Sequence, residues 1–283
     1  MNIKIITDST SDITQLEAKE KNITVIPLRV RFDETEFKDG VTLSSEEFYK
    51  KLQEAKNLPV TSQPSPDEFL THFEEAKKLG QSVIVITLSS TLSGTYQSAM
   101  LAKSMCEYEN IYLIDSQTVT LSLKLLVNYA IKLRDEGLSI DKIVDELEDA
   151  KTRIKLFAIV GTLEYLKKGG RLSSTAAIAG TLLGIKPIVK VEDGIVGMAA
   201  KARGTNSAFS KISSLIEENG GIDMSMPYTL GYSGSPESLD AFKPFIEKSF
   251  NLSNSPISII GATVGVHAGP GACGIAYFTP KNK

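Results

Sequence analysis

Loops rich in hydroxyl side chains are the most chemically suggestive feature of this 283-residue chain. The densest is Thr87-Leu88-Ser89-Ser90-Thr91-Leu92-Ser93-Gly94-Thr95, which follows an apolar run and precedes a helical pattern. Ligands of open α/β sheets bind at the carboxyl ends of strands, and a helix N-terminus adds free N–H groups and a positive dipole end. Such a loop can hold a carboxylate or phosphate without a full cationic charge. The same serines serve equally well as N-caps and turn residues. Thr61-Ser62-Gln63-Pro64 is a second hydroxyl cluster, on a Pro/Ser-rich loop, and it bears on function only if it meets the Ser93 loop in space.

Two basic segments, Lys167-Lys168-Gly169-Gly170-Arg171 and Lys201-Ala202-Arg203-Gly204, read either as ligand contacts or as a helix C-cap and solvated charge. His267, one of two histidines, opens His267-Ala268-Gly269-Pro270-Gly271-Ala272, where two glycines and a proline demand a special backbone. The pattern places it at the end of a strand over 257–266. The other, His72, falls in a helix over 67–79, on its solvent side. Asp8 and Asp115 each end a strand beside a serine, where they can bind magnesium, act as a base, or cap the next element. No Walker, HExxH or GxSxG sequence occurs, so phosphate-loop and hydrolase readings lack their defining residues.

The elements that must position these residues alternate. Strands are expected at 3–6, 24–32, 82–88 and 111–114, and helices at 13–21, 45–55, 67–79, 94–105, 123–136 and 141–154. The continuous apolar run at 82–88 is that of a strand buried on both faces of a parallel sheet. The fold class expected is therefore α/β, with an N-terminal three-layer domain over 1–153 and a second α/β domain with a mixed sheet over 154–283. In the second half, strand-like runs at 157–160, 188–191 and 195–199, with Asp193-Gly194 as a hairpin turn, precede a helix at 206–218. A strand at 228–232 and a helix at 238–249 follow, and 173–184 reads as a Gly-rich helix.

Hydrophobic residues make up 42% of the chain and charged residues 23%, with a net charge of −3, the balance of a soluble protein with a sizeable core. Nothing is basic enough for a nucleic-acid partner. Cys106 and Cys273 form no CxxC pair, which argues against a structural zinc site and suits a reducing cytoplasm. The first residues do not read as a signal peptide, and no apolar stretch approaches the ~20 residues of a membrane span.

In order along the chain, Thr7-Asp8-Ser9-Thr10-Ser11-Asp12, Thr61-Ser62-Gln63-Pro64-Ser65, Leu88-Ser89-Ser90-Thr91-Leu92-Ser93-Gly94-Thr95-Tyr96, Asp115-Ser116, Leu163-Glu164-Tyr165-Leu166-Lys167-Lys168-Gly169-Gly170-Arg171, Ile185-Lys186-Pro187-Ile188, Lys201-Ala202-Arg203 and His267-Ala268-Gly269-Pro270-Gly271-Ala272 together resemble the DegV family, the FakB-type fatty-acid-binding proteins. The resemblance implies a non-enzymatic, cytoplasmic protein without cofactor or metal, holding a long-chain fatty acid such as palmitate or oleate in a tunnel between two domains. It implies that Thr61 and Ser93 hold the carboxylate, and that Arg171, Arg203 and His267 lie near the head group or the partner surface. The implied partner is a fatty acid kinase that converts the presented carboxylate to an acyl phosphate for phospholipid synthesis, with transient contact to a membrane surface. One departure is that Ser122 and Lys124 stand where the family carries small residues at a helix start. The alternative is a phosphoryl- or acyl-transfer enzyme using Ser93 and His267, which requires a base within reach of the Ser93 hydroxyl.

Overall fold

The computed structural model describes residues 2–173 and 184–281. The first part of the chain runs β1 (Ile3–Asp8), α1 (Gln15–Glu20), β2 (Ile23–Ile26), β3 (Arg29–Phe32), β4 (Thr35–Lys38), α2 (Ser45–Glu54), β5 (Val60–Ser62), α3 (Pro66–Lys78), β6 (Ser82–Thr87), α4 (Thr95–Cys106), β7 (Ile111–Asp115), α5 (Leu121–Asp135) and α6 (Ile140–Arg153). It continues through β8 (Ile154–Ile159), α7 (Glu164–Lys168), β9 (Ile185–Glu192), β10 (Ile195–Arg203), α8 (Thr205–Glu218), β11 (Thr229–Tyr232), α9 (Glu237–Phe250), β12 (Ile257–Ile259), α10 (Ala262–Ala268) and β13 (Cys273–Phe278). The expected helix at 173–184 lies almost wholly outside the described residues.

Strands β2-β1-β6-β7 form an all-parallel sheet in that order. Its residues are apolar on both faces because helices cover both. Ile6, Val83 and Val85 pack against Phe69, Phe73 and Ala99 of α3 and α4. Ile5, Ile84 and Ile86 join a cluster with Leu123, Leu126 and Leu147 of α5 and α6. This is the three-layer arrangement expected, produced by the period-2 alternation of strand side chains.

The six-stranded sheet, in the order β10-β9-β8-β13-β11-β12, is mixed: only β11 and β12 pair in parallel. Helices α8 and α9 cover one face through Phe209, Ile212 and Phe242. The Asp193-Gly194 turn joins β9 to β10, both residues at positive φ as a two-residue hairpin of this kind requires. β13 escaped sequence analysis: all six of its residues are buried, so it shows no alternation to read. β4 is likewise an addition.

Two expected strands are corrected. The run at 24–32 breaks at Pro27, which has no N–H for a ladder. β2 stays in the parallel sheet, while β3 crosses into a small antiparallel sheet of order β4-β3-β5. The run at 257–266 holds only a three-residue strand, and 262–268 is the helix α10. Local propensity did not favour a helix there. It is held from outside, by the Asp39 carboxylate, which accepts hydrogen bonds from Ala262 N at 3.1 Å and Thr263 N at 3.1 Å.

α10 lies on the small sheet and on α2, with Val30, Phe48, Tyr49, Ala262 and Val266 in one cluster. Gly265 makes the approach close: a Cβ there would sit 2.5 Å from Phe48 Cε1 and 2.7 Å from the Tyr49 hydroxyl. Gly265→Val should therefore lower stability by about 1–3 kcal/mol through overpacking, more than the ~1 kcal/mol or less of helix propensity it gains. Urea unfolding checks this, and an unchanged or raised stability would contradict the packing described.

Candidate functional site

Between the parallel sheet and the open face of the six-stranded sheet lies a cavity of about 360 Å³, inside the ~300–1,000 Å³ range of small-molecule sites. Its floor comes from alternate residues of adjacent strands: Leu156 and Ala158 on β8 with Val160 just beyond it, Val189 and Val191 on β9, and Gly274 on β13. Leu88, Val119 and Leu121 close it from the other side. These walls are apolar. Among the polar residues, Thr61, Ser62, Gln63, Ser93, Arg171 and His267 line the same cavity, and so do Thr10, Thr120 and Thr263.

The two hydroxyl loops do meet. Gln63 packs so closely on Gly94 that a Cβ at that position would lie 2.0 Å from the Gln63 amide oxygen, and Gln63 Nε2 donates to Ser98 Oγ at 2.9 Å. Thr61 stands on β5, a strand rather than the expected loop, paired with the buried Val30 of β3. That pairing aims it at α10, where Thr61 Oγ1 and His267 Nε2 are 3.0 Å apart. His267 thus sits in the last turn of a helix, not at a strand end. Among the described residues its Nδ1 has no hydrogen-bond partner, and it lies against Gly169, where a Cβ would come within 2.2 Å. Burial, with the Arg171 charge adding to it, pushes its pKa down to about 4, so the imidazole is neutral at pH 7.

Ser93 Oγ and Thr95 Oγ1 are 2.9 Å apart. Among the described residues no base hydrogen-bonds to Ser93, and His267 is engaged by Thr61; the pairing that a nucleophilic serine needs is not formed. Arg171 spans two loops, donating from Nε to Leu92 O at 3.2 Å and from Nη1 to Gly169 O at 2.7 Å. Arg203 ends β10, exposed, and is not part of the cavity wall. His72 is half-buried rather than facing solvent, and burial lowers its pKa.

Sequence reasoning missed the residues that set this geometry. Asp12 is buried and accepts from Gly261 N at 2.8 Å and from the Thr120 hydroxyl. It therefore ties the start of α10 to Thr120, a cavity residue at φ +55, a backbone that costs a β-branched residue ~1–3 kcal/mol. Lys124, at the family departure, donates to Asp12 O at 3.2 Å and pairs with Glu17 at 3.1 Å. Ser122 is fully buried. Asp8 behaves as the cap weighed for it, accepting from Thr10 N at 3.0 Å and reaching Leu88 N at 2.8 Å. Asp115 accepts from Ser90 N at 3.1 Å and Gln117 N at 3.1 Å.

The model of the family described as "Uncharacterised protein, DegV family" matches residues 2–280. A DegV domain-containing protein of Caldanaerobacter subterraneus subsp. tengcongensis is 38% identical over 280 residues, with 99% of each chain covered. A DegV family protein from Thermus thermophilus, described by its fatty acid binding, superposes with a TM-score of 0.90 at 30% identity, over 99% of this chain and 100% of its own. The Bacillus subtilis DegV, described as a fatty acid binding protein, gives 0.85 at 32% identity over 99% and 100%. This chain belongs to the DegV family.

Asp12 also makes a testable electrostatic prediction. Burial, reinforced by the nearby Asp39 charge, raises its pKa from 3.8 to about 7. Between those values the folded chain holds a proton that the unfolded chain releases, so this group's contribution to stability falls as pH rises through that window. His267 acts in the opposite sense, costing stability as pH falls below its ordinary 6.5 toward about 4. Asp12→Asn should shrink the loss of melting temperature between about pH 5 and about pH 7; the wild-type slope in the variant would refute the assignment.

Proposed function

We propose that this chain binds a long-chain fatty acid, its hydrocarbon tail in the apolar cavity and its carboxylate at Thr61 and Ser93. The observation that carries the reading is a predominantly apolar cavity whose lining includes the Thr61 and Ser93 hydroxyls, one arginine and a neutral histidine, with Thr61 Oγ1 and His267 Nε2 3.0 Å apart. Burying a methylene is worth ~0.8 kcal/mol, so an acyl chain supplies ample affinity after ordering costs. The fatty-acid descriptions of the Thermus thermophilus and Bacillus subtilis proteins support the same reading.

The histidine gives the head group its polarity. With Nδ1 against Gly169 and without a hydrogen-bond partner among the described residues, the ring proton belongs on Nε2 and is donated to Thr61 Oγ1. That leaves the Thr61 O–H to donate into the cavity, toward an acceptor such as a carboxylate oxygen. Arg171, held by two carbonyls, adds positive potential without a fork on the ligand, so a reactive head group is not locked in its ground state. The ligand lies between an N-terminal unit, 1–153, and a C-terminal unit, 154–283. In this reading the chain presents the carboxylate to a separate fatty acid kinase, Arg203 belongs to the surface that meets it, and no covalent step occurs on the chain itself.

Mass spectrometry of the natively purified protein should show a co-purified long-chain fatty acid; an empty protein that also fails to take up palmitate would overturn the proposal. Thr61→Ala and Ser93→Ala should each weaken palmitate binding by about 10- to 100-fold, the ~1.5–3 kcal/mol of a hydrogen bond to a charged group. Acyl-phosphate formation by an added fatty acid kinase should fall with it. Unchanged binding in both variants would refute the residue assignment.

A further inference from the structure

The loop that carries Ser93 is held from both halves of the chain. Within it, Leu92 N and Ser93 N both donate to Ser89 O, at 3.0 Å and 3.3 Å. Ser90 is fixed from the same half by Asp115, which accepts from its N–H at 3.1 Å and from its hydroxyl. The next two residues are gripped by the other half. The Thr91 hydroxyl donates to the carbonyl of Gly194, in the β9–β10 turn, and Arg171 Nε donates to Leu92 O at 3.2 Å. The two grips are joined. Leu172 is bridged to Val196 of β10, and Ser173 N donates to Val196 O at 2.9 Å, so the segment bearing Arg171 runs along the strand that leaves the Gly194 turn.

The direction of each bond follows. With the Thr91 proton directed to Gly194 O, the Ser89 hydroxyl is the donor across the 2.9 Å to Thr91 Oγ1, and Thr91 N donates back to Ser89 Oγ at 3.3 Å. Ser89 is fully buried. Gly194, at φ +79, packs on it so closely that a Cβ would lie 2.4 Å from Ser89 Oγ. Leu92 O and Ser93 N belong to one planar peptide group. Arg171 holds its oxygen and Ser89 O holds its N–H, so the plane from which the Ser93 side chain departs is set at both edges.

We propose that Thr91 is a positioning residue for the acid head group: seated on Gly194 O, it fixes the Ser93 loop so that the Ser93 hydroxyl faces the carboxylate. The inference rests on the fatty-acid reading above. Thr91 is itself exposed and is not part of the cavity wall, so it reaches the ligand only through the loop it holds.

Palmitate affinity of the intact chain, measured in a double-mutant cycle, is the test. Thr91→Val keeps the branched shape and removes the donor; it should weaken binding by about three- to tenfold, the effect of one hydrogen bond. Thr91→Ser should restore wild-type affinity. In the Ser93→Ala background the same Thr91→Val change should cost less than about twofold more, because no hydroxyl is left to position. Thr91→Ala removes the same donor if the Val variant does not fold. A loss as large with Ser93 absent as with it present, a Thr91→Ser variant as weak as Thr91→Val, or wild-type affinity in Thr91→Val while Ser93→Ala is weakened would each overturn the positioning role alone. Wild-type affinity in Ser93→Ala would overturn the carboxylate assignment itself, and the role of Thr91 with it.

Discussion

Three backbone N–H groups at the start of α10 and the two buried carboxylates that accept them hold the His267 side of the cavity together. Gly261 N donates to Asp12, and Ala262 N and Thr263 N donate to Asp39. A short helix with three internal or flanking glycines, Gly261, Gly265 and Gly269, has little stability of its own. Anchored this way, and wedged on Phe48 and Tyr49, it presents His267 to Thr61 at hydrogen-bond distance. The carboxylates are costly to bury, which is why Asp12 and Asp39 both have raised pKa values, and their bonds to N–H groups offset that cost.

The rest of the cavity depends on a division of labour between two sheets. The parallel sheet spends both faces on its own helices and contributes to the site only through loops at its strand ends, as open α/β sheets do. The mixed sheet covers one face with α8 and α9 and leaves the other free as a floor. Small residues on that floor, Ala158 and Gly274, keep it open where they lie side by side in register. Thr61, Ser93, Arg171 and His267 come from four separate stretches of chain, and each is held by something other than the ligand: β5 by β3, the Ser93 loop by Gln63, Arg171 by two carbonyls, and His267 by α10.

Much of this was legible from sequence, and the failures have physical causes. The buried strand β6, the hairpin at Asp193-Gly194 and the hydroxyl loops carried local signals strong enough to read. The small sheet did not, because Pro27 splits an apparently continuous run and Thr61 sits on a three-residue strand defined by its partner. β13 gave no periodicity because both its faces are buried. α10 was hidden by its own composition, and its caps come from residues more than two hundred positions earlier. Asp12 and Asp39 had no local mark of their role. Of the residues expected near the head group or the partner surface, Arg171 and His267 line the cavity and Arg203 stands exposed at the end of β10.

In the proposed complex an acid head group sits dehydrated against Thr61 while its tail fills the apolar floor. NMR of palmitate labelled with carbon-13 at the carboxyl tests this most directly. A bound carboxyl signal that holds its position as pH is lowered from about 8 to about 5, and that shifts in Thr61→Ala, is the predicted result. A signal that titrates like a carboxyl in water, or that is blind to the Thr61 substitution, would contradict it.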